Sequence, residues 1–156
     1  MQHLTQLRLA AYQAASKAYA PYSQVGLGCA VLAGSEIFAG SNVENASYGA
    51  TICAERAAIW QAVNHGHRNL QHLYLYSPGG WPPCGMCRQV MAEFAGPELK
   101  ITLAHPANVK SLNPNLTTAS SPSEIIIDGQ KIALLEQHLT FGQLFPWSFN
   151  PTHLAK

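Results

Sequence analysis

Apolar residues recur near the N-terminus at Leu7, Ala10, Ala11, Ala14, Ala15 and Ala18, one stripe of a helix predicted from a Thr5 cap to about Tyr19. Ala20-Pro21 ends it, because a following proline pushes a residue out of helical geometry. Two short apolar runs come next, Leu27–Ala33 and Glu36–Ala39, parted by Gly34-Ser35; they predict a strand pair with a tight turn. The polar segment Ser41–Gly49 leads to a second helix, about Thr51 to His65, with Ala54, Ala57, Ala58, Ala62 and Val63 at helical spacing. Leu70–Tyr76 alternates as a strand, and Ser77–Pro83, rich in Gly and Pro, is a loop. Cys84 opens a third helix to about Phe94, with Val90, Met91 and Phe94 facing inward. Leu99–Ala104 is a further strand. From His105 to Glu124 the chain turns polar, with three prolines and three asparagines. Ile125–Leu135 resumes as strand–turn–strand around Asp128-Gly129, before a short helical end and a Pro146–Pro151 tail. Strands alternating with helices predict an α/β fold of three layers, α/β/α.

Length, composition and charge add further constraints. With 156 residues the chain reads as a single domain, 1–156, able to bury most of its surface. Hydrophobic residues make up 47% and charged residues 11%, against a usual charged share of about 25%. That balance argues against disorder and suggests apolar surface covered in an oligomer. Nine Lys+Arg against eight Asp+Glu leave +1, with no basic stripe to track a phosphate backbone, so nucleic acid is a poor partner. The longest apolar stretch, Leu27–Ala33, falls far short of the roughly 18 residues that span a bilayer. The opening Met1-Gln2-His3-Leu4-Thr5 has neither the basic head nor the apolar core of a signal peptide, so a cytoplasmic protein without a membrane partner is expected.

The four cysteines are Cys29, Cys53, Cys84 and Cys87, and the last two form a C-x-x-C. Without a secretion signal this spacing favours metal or redox chemistry over a disulfide framework. On a helix, residues three apart share a face, so Cys84 and Cys87 can share an ion. Cys53 opens the other helix. If both helix starts converge, three thiolates meet at two positive dipole ends. Three soft ligands with an open position is the catalytic zinc count, and a water there would be acidified toward about pH 7. Arg56 can offset the surplus thiolate charge by bonding a sulfur, and Glu55 can move protons beside the open position. Other readings compete. A C-x-x-C alone also suits half of a structural zinc knuckle or a redox pair, and Glu55-Arg56 alone suits a solvated helix pair. A closed four-cysteine site would need Cys29, whose apolar strand fits a small core residue better.

Cys53-Ala54-Glu55-Arg56 followed by Pro83-Cys84-Gly85-Met86-Cys87-Arg88-Gln89 resembles the three-cysteine signature of zinc nucleoside deaminases. The likeness extends to Ala20-Pro21-Tyr22-Ser23, to Gly40–Tyr48, to Glu93-Phe94 and to Leu144–Pro151. It covers roughly residues 5–100 and 139–154, in the order of the small homotetrameric cytidine deaminases. The resemblance implies a cytidine-deaminase-like domain with a mixed central sheet. It implies one Zn²⁺ per subunit on Cys53, Cys84 and Cys87, with Glu55 as proton shuttle and Arg56 balancing charge. Asn42 and Glu44 match the pair that holds the ribose hydroxyls, and alternate positions of an extended segment put both on one side. Taken alone, Asn42 also suits a turn. The Ala54 backbone would bond the base carbonyl. Ala46, Tyr48 and Phe149 match positions that enter a neighbouring subunit's site, although Tyr48 and Phe149 also suit ordinary core packing. The implied reaction is hydrolytic: a zinc-activated water adds to C4 of cytosine, ammonia leaves, and uridine or 2′-deoxyuridine remains, as in pyrimidine salvage. Ribose capture favours the free nucleoside over DNA or RNA.

Two departures stand out. Where the family usually has a phenylalanine stacked on the pyrimidine, this chain has Val25. A roomier pocket follows, tolerant of cytidines substituted at N4 or C5, unless Trp81 replaces the ring; Trp81 equally suits a packed loop anchor. The second is His105–Glu124, an atypical insertion where the family has a short connection; it is expected to be disorder, a subunit-face cover or a lid. Two competing functions remain beside cytidine deamination. One is deamination of a related aminopyrimidine, and the other is a non-catalytic, zinc-stabilised binding module.

Overall fold

The computed structural model describes residues 2–109, 122–149 and 151–153. Its elements in chain order are α1 (Gln2–Ala15), β1 (Gly28–Ala33), β2 (Glu36–Ser41), α2 (Ala54–Asn64), β3 (Leu70–Tyr76), α3 (Gly85–Phe94), β4 (Lys100–Pro106), β5 (Ser123–Ile127), β6 (Gln130–Thr140) and α4 (Phe141–Leu144). Six strands form one sheet in the order β2-β1-β3-β4-β6-β5. Only β3 and β4 run parallel; the other pairs are antiparallel. A parallel pair needs a crossover long enough to return to the same end, and α3 supplies it.

Alternation along the strands sorts the core into two layers. Val31, Leu73, Leu75, Ile101 and Leu103 face α2, α3 and α4, where they bury Ile59, Met91 and Phe141 respectively. Ala30, Tyr74 and Ala104 face the other way, against Leu7 and Ala11 of α1. The expected α/β/α layering and mixed sheet are therefore present. At Gly40 of β2, a Cβ would lie 2.6 Å from the Ala58 amide and 2.7 Å from the Ala57 Cβ, so glycine lets α2 lie directly on the sheet.

Several boundaries differ from the sequence expectation. Helix α1 begins at Gln2, which leaves Thr5 inside it rather than capping it, and ends at Ala15. Tyr19 instead makes a parallel bridge with Val43. Thr51 and Ile52 also lie outside their expected helix: Ile52 pairs with Val43, and Cys53 is the N-cap of α2. The hairpin around Asp128-Gly129 is present, with φ of +50° and +77° at the two turn residues. Of the expected insertion, His105 and Pro106 belong to β4, and Ser123 and Glu124 to β5; residues 110–121 lie outside the described residues.

Candidate metal centre and its surroundings

Cys53 caps α2 and Cys84 caps α3. Each helix start carries amides with no intrahelical acceptor and the positive end of the peptide dipole, so both favour thiolate. The sulfurs of Cys53, Cys84 and Cys87 lie within 4.8 Å of one another. Cys53 Sγ is 3.8 Å from Cys84 Sγ, which is 3.5 Å from Cys87 Sγ. Tetrahedral zinc with Zn–S of about 2.3 Å sets sulfurs about 3.8 Å apart, so the donor set fits zinc in chemistry and spacing. Cys29 lies outside this cluster. It is fully buried in β1, and burial raises its thiol well above the ordinary range. That is the small core residue its strand predicted.

Arg56 Nη2 reaches Cys53 Sγ at 3.8 Å and the Thr51 carbonyl at 3.0 Å. The bond Cys53 accepts from Cys87 brings its thiol down to about 5, helped by Arg56. Cys87 moves the opposite way, because it holds the proton the pair shares. Glu55, in the first turn of α2, is 3% exposed, and burial pushes its carboxyl up to about 7. Among the described residues its Oε2 has no hydrogen-bond partner. A buried oxygen left without a donor is costly in a finished scaffold, which marks this one as kept for a ligand. The Ala54 amide, first in the helix, likewise lacks an intrahelical acceptor.

Val43 ties the remaining candidates to this centre. Its amide donates to the Ile52 carbonyl at 3.0 Å and its carbonyl accepts from the Ile52 amide at 3.0 Å, which sets Asn42 and Glu44 beside the strand leading into Cys53. Asn42 is 7% exposed. Its Oδ1 accepts from the Leu27 amide and its Nδ2 donates to the Val25 carbonyl. Glu44 Oε2 accepts from the amides of Tyr22 and Ser23, and with Tyr22, Ser23, Tyr48 and Thr51 it lines a cavity of about 420 Å³. Both side chains thus hold the 22–27 loop.

Val25 is half-buried on that loop. Tyr48 is 74% exposed with its ring edge-on to Tyr22, and Phe149 is 54% exposed, stacked on His153. Neither packs in the core of its own chain, which overturns that reading; Ala46 is exposed too. Trp81 is anchored by its loop: its amide donates to Ser77 Oγ, and its indole nitrogen lies 2.5 Å from where a Cβ on Gly79 would sit. Ser23, part of a quoted motif but given no role by the sequence reading, proves to bond both Glu44 and Val25.

The chain's residues 1–103 match the family model for the cytidine and deoxycytidylate deaminase zinc-binding region. Among curated relatives, the cytidine deaminase of Halalkalibacterium halodurans is 42% identical over 98 residues, 61% of this chain and 74% of that protein. The cytidine deaminase of Mycobacterium tuberculosis is 41% identical over 116 residues, 72% of this chain and 86% of that protein. The crystal structure of cytidine deaminase from Burkholderia pseudomallei superposes with a TM-score of 0.69 at 32% identity, covering 92% of this chain and 97% of that one. The fold and cysteine cluster define a zinc-binding hydrolytic deaminase. The chain belongs to the cytidine and deoxycytidylate deaminase family.

Proposed function

We propose that this chain hydrolyses free cytidine and 2′-deoxycytidine to uridine and 2′-deoxyuridine, with release of ammonia. The observation that carries the reading is a buried carboxylate with an unpartnered oxygen, Glu55, two residues from one of three converging zinc-type ligands. Bound by Cys53, Cys84 and Cys87, zinc supplies Lewis-acid activation of water. Glu55 takes a proton from the attacking water and places it on N3 as the C4–O bond forms. It then moves a second proton to the exocyclic nitrogen, which leaves as ammonia when the C4–N4 bond breaks. Arg56 draws charge from Cys53, and the Ala54 amide donates to the base carbonyl. Glu44 accepts from the ribose hydroxyls, Asn42 bonds them through its amide, and Val25 lies against the base.

Ala46, Tyr48 and Phe149 are exposed on their own chain, which supports a homotetramer in which they complete a neighbour's site. The same reading takes residues 1–156 as one domain acting in cytoplasmic pyrimidine salvage. No helix among the described residues is long and apolar enough to cross a membrane. The test is ammonia release from cytidine by protein with its zinc counted. One zinc per chain, with turnover that Glu55→Gln lowers by about 10²–10⁴, is expected. Full zinc without turnover would make the chain a binding module instead.

A further inference from the structure

Two adjacent residues of α3 hold the C-terminal tail by its main chain. Arg88 Nη1 donates to the Leu144 carbonyl at 3.2 Å, and Gln89 Nε2 donates to the Phe149 carbonyl at 2.8 Å. Arg88 is engaged elsewhere as well, since its Nε donates to the Pro83 carbonyl at 2.8 Å, next to the zinc-type ligand Cys84. Between the two anchors the tail changes character. Leu144 and Phe145 pack against the core, whereas Trp147 is 94% exposed and Phe149 54% exposed. Ordering a chain costs conformational entropy, and the far half of this tail buries too little apolar surface to offset it. The Gln89 bond ties that half to the helix. Because it falls on a carbonyl, it fixes the main chain and leaves the Phe149 ring projecting, in contact with His153 of the same tail at 5.4 Å between ring centres.

We propose that Gln89 is a positioning residue for the neighbouring subunit's site: by holding the Phe149 main chain against α3, it sets where the Phe149 ring is presented to that subunit's bound nucleoside. The helix that carries Cys84 and Cys87 at its start thus serves its own site through sulfur and another site through the tail. The proposal rests on the reading that Phe149 completes a neighbour's site.

The experiment measures cytidine turnover by the zinc-loaded full chain, alone and in mixed assemblies. Gln89→Met keeps the side chain's length and loses its donor. It is expected to raise KM about fivefold with kcat held, the loss expected for one neutral hydrogen bond. The variant is then co-expressed with an excess of Glu55→Gln chains, and assemblies holding both are isolated through two different tags. Turnover there comes from the Gln89→Met chains, whose neighbours now supply intact tails, so KM is expected to return to the wild-type value. No rise in KM, or a rise that persists in the mixed assembly, overturns the proposal. So does a loss of zinc, assembly mass or melting temperature in Gln89→Met, which places its effect on the fold. Phe149→Ala separates the two layers. If its own rise in KM is absent or is not reversed by mixing, or if no mixed assembly forms, the shared-site reading falls and the proposal with it. If mixing rescues Phe149→Ala while Gln89→Met is silent or unrescued, only the role of Gln89 falls.

Discussion

Two glutamate side chains, both withdrawn from solvent, have opposite surroundings. The Glu55 side chain, in the first turn of α2, has one oxygen with no donor among the described residues, and burial drives its carboxyl up to about 7. The Glu136 side chain, 2% exposed on the far face of the sheet, is surrounded by donors. Arg8 bonds both of its oxygens, Tyr74 donates at 2.6 Å and Ser123 at 2.9 Å. Burial alone would raise its carboxyl, yet these bonds, that of Arg8 first, bring it below the ordinary range. The same side chain in the same low-dielectric interior is thus prepared for two tasks. Where all lone pairs are met, a carboxylate ties α1 to β6 across the sheet; where one is withheld, it can exchange protons.

The contrast is sharpest when each acid is made an amide. Glu55→Gln is expected to lower kcat by about 10²–10⁴, the range for losing a general acid–base. Its melting temperature should not fall, because the change removes a buried charge with one oxygen left unmet by any donor. Kinetics paired with thermal melts on one preparation check both halves. Glu136→Gln should do the reverse: it leaves Arg8 buried without its counter-charge, at a cost of about 3–5 kcal/mol of stability. Denaturant titration reads that loss, and activity per folded, zinc-loaded molecule should hold. A stable Glu136→Gln, or an unstable Glu55→Gln, would erase the distinction.

Acid offers a smaller effect of definite sign. Because the folded carboxyl of Glu136 titrates below its unfolded value of about 4.3, its stabilisation is complete above that pH and fades as pH falls through the folded value. Wild type and Glu136→Gln should therefore differ in stability at neutral pH and converge below about pH 4. Both share the same zinc site, so loss of metal in acid moves them together and leaves the difference to Glu136. A gap that persists unchanged into acid would mean the carboxylate's charge contributes nothing.

The two glutamates were unequally legible in the sequence. Glu55 sits within a compact motif, and its helix-start position follows from local spacing; the lack of a donor for Oε2 does not, since that depends on everything packed around it. Glu136 had no signal at all, because Arg8 lies 128 residues away and Tyr74 lies 62 away. The fold shows the same division. β3 is found where alternation placed it, and the Asp128-Gly129 turn where its chemistry did. Two of the misplaced helix ends trace to one residue: Val43 pairs with Tyr19 on one side and Ile52 on the other, taking both out of helices that local spacing had extended. Long-range pairing overrode a weak local preference.

Val25→Phe probes a position where backbone and side chain have separate roles. Its carbonyl accepts from Asn42 Nδ2 at 2.9 Å and its amide donates to Ser23 Oγ at 3.1 Å, so the main chain is fixed from both sides whatever side chain it bears. A phenylalanine there should leave the loop in place and add an aromatic face. Base stacking on an aromatic is worth about 1–3 kcal/mol, so KM for cytidine should fall by up to that equivalent. Cytidines carrying bulky groups at N4 or C5 should lose relative rate as the ring takes up the space that valine leaves. A panel of such analogues, run on both proteins, measures the exchange of room for grip. Unchanged relative rates across the panel would mean Val25 does not border the base, and that the loop holds the sugar alone.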